Sequence, residues 1–126
     1  KTKAKARKIE KRTVFIFQDG ENVAIRKRPA TGLLAALYEL PNIEGELSAD
    51  EALEYSKKIG LQPLRIKELG VAKHIFSHIE WRMSGYSVCV GSAEAPAGCV
   101  WASREQLQNE YTLPGAFKAY KKKLGL

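Results

Sequence analysis

The segment VFIFQDGENVAIRKR, residues 14–28, constrains the fold more than any other part of the chain. Two runs rich in apolar and β-branched residues flank Asp19-Gly20, a dipeptide that strongly favours a tight turn between antiparallel strands. The pattern predicts strands over residues 13–18 and 22–28. A hairpin of this kind needs a core to cover it, and 126 residues with 44% hydrophobic content suffice for one domain.

A capped helix is predicted after the hairpin and an intervening loop with a short strand. Ser48 suits the N-cap position, and Glu51 follows three residues later, which is the spacing of a capping box. Gly60 stands where a residue of left-handed conformation commonly ends a helix. The buried face of this helix is predicted to consist of Ala49, Ala52, Leu53, Ser56 and Ile59.

The second half of the chain alternates between strand and helix signals without strict order. Strands are predicted over residues 64–69, 71–76 and 79–90, with a break in the last near Gly85. A short strand near Val100-Trp101 precedes a short helix, for which Ser103 and Gln106 again have the capping-box spacing. A final helix is predicted from residue 114 or 115 to Leu124, with Phe117, Tyr120 and Leu124 along one face.

This order of elements predicts an α+β sandwich, because strands and helices do not alternate as they do around a parallel sheet. The expected organisation is a basic connector or tail over residues 1–12, followed by a single domain over residues 13–126. The chain begins with Lys1 rather than Met, and we therefore expect it to be a piece of a longer protein or a processed form.

The net charge of +7 is concentrated at the two ends. Residues 1–12 carry seven bases and one acid, a balance of +6, and residues 118–126 add four lysines. The middle holds ten bases and thirteen acids and is therefore at −3. The basic start is either a solvated linker or a phosphate-contacting segment, and charge alone is compatible with DNA, RNA or an anionic surface.

The remaining composition favours a soluble intracellular protein that carries no metal. No apolar run approaches the length of a membrane span, and no secretory signal pattern is present. Cys89 and Cys99 are expected to be free, buried thiols. His74 and His78 could join them as zinc ligands in principle, but the spacing that would make such a site specific is missing.

The segment EGELSADEALEYSKKIGL, residues 44–61, resembles the characteristic helix region of the Nudix (MutT-like) fold, in which helices sandwich a mixed β-sheet. That helix normally carries an Arg-Glu pair, then two adjacent glutamates, then a hydrophobic residue and glycine. Here Ile59-Gly60 matches the ending, whereas lysines stand at 57 and 58 and Leu53-Glu54 replaces the pair. Because magnesium requires carboxylate ligands and lysines repel it, we expect a retained scaffold without metal or catalytic residues.

Three further stretches resemble the C-terminal domain of the MutY family, the adenine DNA glycosylases of base excision repair. They are LLAALYELP at 33–41, HIFSHIEWRM at 74–83 and YTLPGAFKAY at 111–120. The resemblance covers nearly the whole chain from Lys11 onward. It implies a DNA-binding module that recognises 8-oxoguanine opposite adenine, through a Phe76-Ser77-His78 triplet in a loop between two strands.

The chemistry of the lesion is consistent with such a triplet. Oxidation at C8 turns guanine N7 from an acceptor into an N–H donor and adds a carbonyl acceptor. The hydroxyl of Ser77 offers an acceptor and a rotatable donor, which could contribute about 1–3 kcal/mol of discrimination. Phe76 is either a core residue or a DNA contact. His78 is either a turn residue that is hydrogen-bonded to its own backbone or a DNA contact. Tyr38, expected in a loop, is likewise either a core residue or a contact, and Trp81 is expected in the core.

The resemblance also implies partners and a division of labour. A helical N-terminal domain, absent here, would flip out and remove the adenine and would carry a 4Fe-4S cluster. This isolated domain is expected to hold no cofactor and to cleave nothing. The expected partners are double-stranded DNA with an 8-oxoguanine:adenine pair, the protein's own catalytic domain, and repair or replication proteins. A monomer in the bacterial cytoplasm, associated with the nucleoid and not with membranes, is expected.

Two alternative functions stay open. The first is an active Nudix nucleotide pyrophosphohydrolase with unusual ligands, and magnesium-dependent breakdown of 8-oxo-dGTP would support it. Its available acids are Glu39, Glu44, Glu46, Glu51 and Glu54. The second is a protein-interaction domain on the same scaffold, which would bind a partner without preferring damaged DNA.

Overall fold

The hairpin predicted around Asp19-Gly20 forms and contributes two strands to a seven-stranded mixed sheet. The computed structural model describes residues 6–91 and 93–126, so residues 1–5 of the expected connector lie outside the described part. The elements in chain order are β1 Lys8–Asp19, β2 Asn22–Lys27, β3 Tyr38–Glu39, β4 Asn42–Glu44, α1 Ala49–Lys58, β5 Pro63–Ile75, β6 Ile79–Val90, β7 Cys99–Ala102, α2 Arg104–Asn109, a 3-10 turn Gly115–Phe117 and α3 Lys118–Lys123.

The sheet has the strand order β3-β2-β1-β6-β5, with β4 paired to β1 and β7 paired to β2. β1 and β6 are parallel and pair from Lys8 opposite Ile79 to Gln18 opposite Cys89. β5 and β6 form an antiparallel hairpin, and β5 lies at the edge. The parallel register therefore places the start of β1 beside the turn between β5 and β6.

Each face of the sheet has its own core. One core contains Trp81 and Met83 of β6 together with the C-terminal residues Phe117 and Tyr120. The other contains Phe15 and Phe17 of β1, Ala52 of α1, and Tyr86 and Val88 of β6. Helices thus cover both faces of a mixed sheet, which confirms the predicted α+β sandwich.

The first strand is longer than predicted. β1 begins at Lys8, so residues 8–12 of the expected connector belong to the sheet. Their polar composition gives a weak strand signal, and the long parallel pairing with β6 extends the strand through them. At the other end, Gly20 and Glu21 form the two-residue turn, and Gly20 has the positive φ of 60° that such turns require.

Helix α1 has the predicted capping box. The Glu51 amide donates to the Ser48 hydroxyl, and the Ser48 amide donates to the Glu51 carboxylate. The predicted buried face is correct for Ala52 and Ser56, whereas Ala49 is exposed because it lies in the first turn, outside the contact with the sheet.

The strand predictions around the second hairpin need two corrections. Residues 63–75 form a single strand, β5, and a register irregularity between Glu68 and Gly70 replaces the predicted break. β6 runs without interruption through Gly85. The second capping box, of Ser103 and Gln106, is confirmed, and no helix among the described residues is long and apolar enough to span a membrane.

Candidate nucleic-acid interface

The loop between β5 and β6 consists of Phe76, Ser77 and His78. Ser77 and His78 are exposed, and Phe76 is partly buried. Backbone hydrogen bonds hold both sides of the loop, since the Phe76 amide donates to the Ile79 carbonyl at 2.7 Å and the Lys8 amide donates to the His78 carbonyl at 3.0 Å. The triplet therefore presents two polar side chains to solvent from an anchored backbone.

Phe76 anchors the loop from beneath. Its ring packs edge-on against Trp81, with centroids 5.0 Å apart, and against His74, with centroids 4.6 Å apart. Trp81 is only 1% exposed, which confirms its predicted place in the core. Aromatic pairs in this geometry add to the energy of burial, so the Phe76 ring stabilises the loop against the core.

The side chain of Trp81 lies where the three stretches that resemble the glycosylase family meet. HIFSHIEWRM contributes Trp81 itself, and YTLPGAFKAY contributes Phe117, whose ring centroid is 6.2 Å away. The guanidinium of Arg28, which is bound to Glu39 of LLAALYELP, lies 5.4 Å from the centroid of the Trp81 ring. Segments distant in sequence therefore form one support beneath the loop.

A second guanidinium packs against the same ring. Arg12 lies 5.2 Å from the Trp81 centroid, so two cations contact one indole, an arrangement that the attraction of cations for aromatic faces stabilises. Arg12 also donates to Glu10 and to Asn42, each at 2.6 Å. These arginines were not predicted as structural residues, because the pairing depends on strands that are distant in sequence.

Glu39 is a buried carboxylate with three donors. Arg26, Arg28 and the amide of Asn42 each donate to it at 2.8 Å, and Glu39 is 2% exposed. A buried charge is tolerated only with such compensation, and losing one partner would be costly. Glu39 is thus bound by three donors within the fold, which contradicts the expectation that it is available to bind a metal.

The other acids proposed for a hydrolase are also engaged or solvent-facing. Glu46 pairs with Lys11 at 3.5 Å and Glu54 with Lys57 at 3.5 Å, while Glu51 completes the cap of α1. Within residues 6–91 and 93–126, no three His, Cys, Asp or Glu side chains are close enough to hold a metal ion.

Tyr38 is in strand β3 and not in a loop as expected. It pairs with Lys27 of β2, and its ring packs at 4.7 Å from that of Tyr111. The strand forms because β2 continues past its pairing with β1, which ends at Val23, and its last residues pair with residues 38 and 39. The strand pairing of Tyr38 and its packing on Tyr111 are therefore structural contacts.

Both cysteines are free thiols, as predicted, but they are partly rather than fully buried. Burial raises the pKa of the Cys99 thiol, which keeps it protonated and unreactive near neutral pH.

The base of the loop carries a network of opposite charges. Glu80, the second residue of β6, accepts from Arg82 at 2.8 Å and from Arg7 at 3.4 Å. The hydrogen bond from Arg82 is the main cause that lowers the pKa of Glu80, with further contributions from the charge of Lys73 and from Arg7. One carboxylate thus holds two arginines beside the loop, and the net charge of this group of residues stays positive.

Comparison with known proteins shows which family this chain belongs to. A family model described as "NUDIX domain" matches residues 12–123, nearly the whole described chain. The chain belongs to the NUDIX domain family. This Nudix chain is also similar in sequence to the adenine DNA glycosylases of mouse, at 36% identity over 99 residues, and of rat, at 30% identity over 103 residues.

The similarity covers 71% of the Nudix chain but only 19% of each rodent protein, so the match spans about a fifth of the length of these relatives. Among solved structures, the C-terminal domain of mouse MUTYH, determined in complex with human PCNA, superposes with a TM-score of 0.70 at 23% identity. That match covers 90% of this chain and 88% of the other. A MutT protein from Methanosarcina mazei Go1 superposes with a TM-score of 0.68 at 14% identity, covering 97% and 96%. These structures share the fold.

Proposed function

We propose that this chain is the lesion-recognition domain of an adenine DNA glycosylase, and that its β5–β6 loop contacts 8-oxoguanine paired with adenine. The observation that carries the proposal is the exposed, backbone-anchored Ser77-His78 pair, in a chain similar over 71% of its length to adenine DNA glycosylases. The catalytic step, removal of the adenine in base excision repair, would belong to another part of the parent protein, together with its expected 4Fe-4S cluster.

The loop suits the lesion chemically. The exposed Ser77 hydroxyl can accept from the N7–H that only the oxidised base has, and it can rotate to donate instead. Because the loop is held by the hydrogen bonds of Phe76 and His78, little conformational entropy is lost when it binds. The discrimination expected from one such contact is about 1–3 kcal/mol.

The charges near the loop suit a nucleic acid backbone. Arg7 and Lys8 precede or begin β1 beside the loop, and Arg82 lies on β6 with 55% of its side chain exposed. Phosphate contacts of this kind fix the position of a protein on DNA, while base contacts provide the specificity. In the proposed complex, these cations bind the phosphates of the duplex while Ser77 contacts the base.

We further propose that the domain itself does not hydrolyse nucleotides. Lysines occupy positions 57 and 58 at the end of α1, and Glu39 is bound by two arginines and an asparagine. The side chains that would have to bind magnesium are therefore replaced or engaged. Magnesium-dependent release of pyrophosphate from 8-oxo-dGTP by the purified chain would contradict this.

Protein partners form part of the proposal as well. The domain would act as a monomer and dock on its own catalytic domain. Because the structurally similar mouse MUTYH domain was determined in complex with human PCNA, replication proteins are reasonable candidates for a second partner. Binding to such a partner would be compatible with DNA recognition, since the loop occupies only one end of the sheet.

The test is a titration of two duplexes that differ by one oxygen, 8-oxoguanine:adenine and guanine:adenine, with the wild-type chain and Ser77→Ala. We expect the wild type to prefer the lesion and Ser77→Ala to reduce that preference by roughly 5- to 150-fold, equivalent to about 1–3 kcal/mol. Fluorescence anisotropy with labelled duplexes gives both affinities.

Ser87→Ala is the matched control. Ser87 is on β6, eight residues or about 26 Å along the strand from Ile79, and its hydroxyl donates to Gln18. The control should keep the full preference for the lesion. Equal binding of both duplexes by the wild type would refute the proposal.

A further inference from the structure

We propose that the groove between β5 and α3 holds the phosphate backbone of the duplex next to the lesion, with Lys118 and Lys122 as its principal contacts and Lys73 at its rim. The groove has a volume of about 480 Å³ and is lined from one side by β5 and from the other by the C-terminal helix. This inference rests on the proposed function, because it assigns a second contact to the same DNA.

Helix α3 is held firmly enough to present its lysines in a fixed direction. Tyr120 is 1% exposed, its hydroxyl donates to the Gly70 carbonyl at 3.3 Å, and its ring covers Gly85 of β6. The buried residues of this segment are Tyr120, Leu124 and the preceding Phe117. Lys118 and Lys122 are exposed, four residues apart, and share one face of the helix as neighbours along the groove.

The lysines of the groove differ from the other cations around the site. Arg7 and Arg82 are paired with Glu80, and the guanidiniums of Arg26 and Arg28 are paired with Glu39. Within the part of the chain that the structure describes, Lys73, Lys118 and Lys122 form no ion pair, and no acidic residue lines their groove. Unpaired cations facing one channel leave a positive potential that a polyanion would neutralise.

The lining of the groove allows a phosphate backbone to approach closely. Four of the residues that line it are small, namely Ala72, Gly115, Ala116 and Ala119. A lysine ammonium is a compact point charge that binds phosphate without regard to sequence, so these contacts would position the duplex without selecting a base.

The groove continues towards the loop. His74 lines it, and the His74 ring packs 4.6 Å from that of Phe76, the residue before Ser77. A DNA strand lying in the groove would thus reach Ser77 directly. The nucleotide held by α3 and the nucleotide contacted by the loop would then be neighbours.

The test compares Lys118→Gln/Lys122→Gln with Lys57→Gln/Lys58→Gln, which removes the same charge from two exposed lysines at the end of α1, across the sheet. Binding of the 8-oxoguanine:adenine and guanine:adenine duplexes is measured over a series of KCl concentrations. The slope of log K against log salt is negative, and we expect its magnitude to fall by about 2 in the α3 variant. Binding of both duplexes should weaken by the same factor. The α1 control should leave the slope within the error of the wild type.

Each failure has its own signature. An unchanged slope for the α3 variant, or an equal fall for the α1 control, would overturn the groove while leaving lesion recognition intact. A smaller slope for the α3 variant, combined with a wild type that does not prefer the lesion, would support phosphate binding in the groove and refute the proposed function. If the wild-type chain bound neither duplex at low salt, both proposals would fail.

Discussion

At the scale of single residues, ion pairs hold the base of the loop, and one of them joins residues distant in sequence. Glu80 is buried at the base of the loop and bridges Arg7 of the basic start and Arg82 of β6. This carboxylate ties the incoming chain to the hairpin. The carboxylate also sets a pH dependence, because its pKa in the folded chain is lowered from 4.5 by the hydrogen bond from Arg82, among other causes.

We predict that Glu80→Gln lowers stability at neutral pH and that the loss disappears in acid. A carboxylate with a lowered pKa stabilises the fold above the unfolded pKa of about 4.5, and its contribution is lost as the pH falls through the folded value. Urea denaturation of both proteins between pH 7 and pH 3 measures this. Glu44→Gln, at an exposed position on β4, is the control and should follow the wild type. A difference between Glu80→Gln and the wild type that is the same at every pH would contradict the account.

The position of Phe76-Ser77-His78 in a loop between two strands could be predicted from the sequence, but the surroundings of that loop could not. Ser77 and His78 lie at the turn between two strand patterns, and turns place polar side chains in solvent for local reasons. The two guanidiniums on Trp81 and the three donors on Glu39 depend instead on β1, β2 and β6 lying side by side. A single sequence contains no local signal for such pairings, since the residues involved are far apart along the chain.

At the scale of elements, the packing of α3 on β6 positions the lysine face. Gly85 allows α3 to pack this closely, because a Cβ atom at position 85 would lie 3.0 Å from the Tyr120 Cζ atom. Burial also raises the pKa of Tyr120 to about 12, as expected for a ring enclosed between helix and sheet.

We predict that Gly85→Ala destabilises the chain by about 1–3 kcal/mol, the usual cost of overpacking a core. Tyr120 would have to move and with it α3, so the lysine groove would also be displaced. Urea denaturation gives the stability. Gly115→Ala is the control, because a Cβ at Gly115 meets nothing within 4 Å, and it should be neutral or slightly stabilising. An unchanged stability for Gly85→Ala would show that α3 is not held as described.

Among the elements, those defined by local chemistry were predicted most accurately. Both capping boxes, at Ser48 and Ser103, and the turn after Asp19 formed as expected, since their hydrogen bonds close within three residues. The length of β1 and the uninterrupted β6 were not predicted. Their parallel pairing continues through polar residues and through Gly85, because the neighbouring strand supplies the hydrogen bonds whatever the local propensity.

At the scale of the whole molecule, the two turns of the sheet lie at opposite ends. β1 runs from Lys8, beside the β5–β6 loop, to Asp19 at the first hairpin turn, eleven residue steps or about 36 Å away. DNA bound at the loop would leave the first hairpin free, together with α1. The α1 helix ends in Lys57 and Lys58 and packs through Ala52 on the face of the sheet that holds Phe15 and Phe17.

The most direct test of the central claim is NMR mapping of the labelled chain with the two duplexes. The account predicts that the 8-oxoguanine:adenine duplex shifts the amide signals of residues 76–78 in a way that the guanine:adenine duplex does not. The amides of Gly20 and Glu21, at the far end of the sheet, should stay unchanged with either. Loop signals that respond identically to both duplexes, or largest shifts at the first hairpin turn, would contradict lesion recognition through this loop.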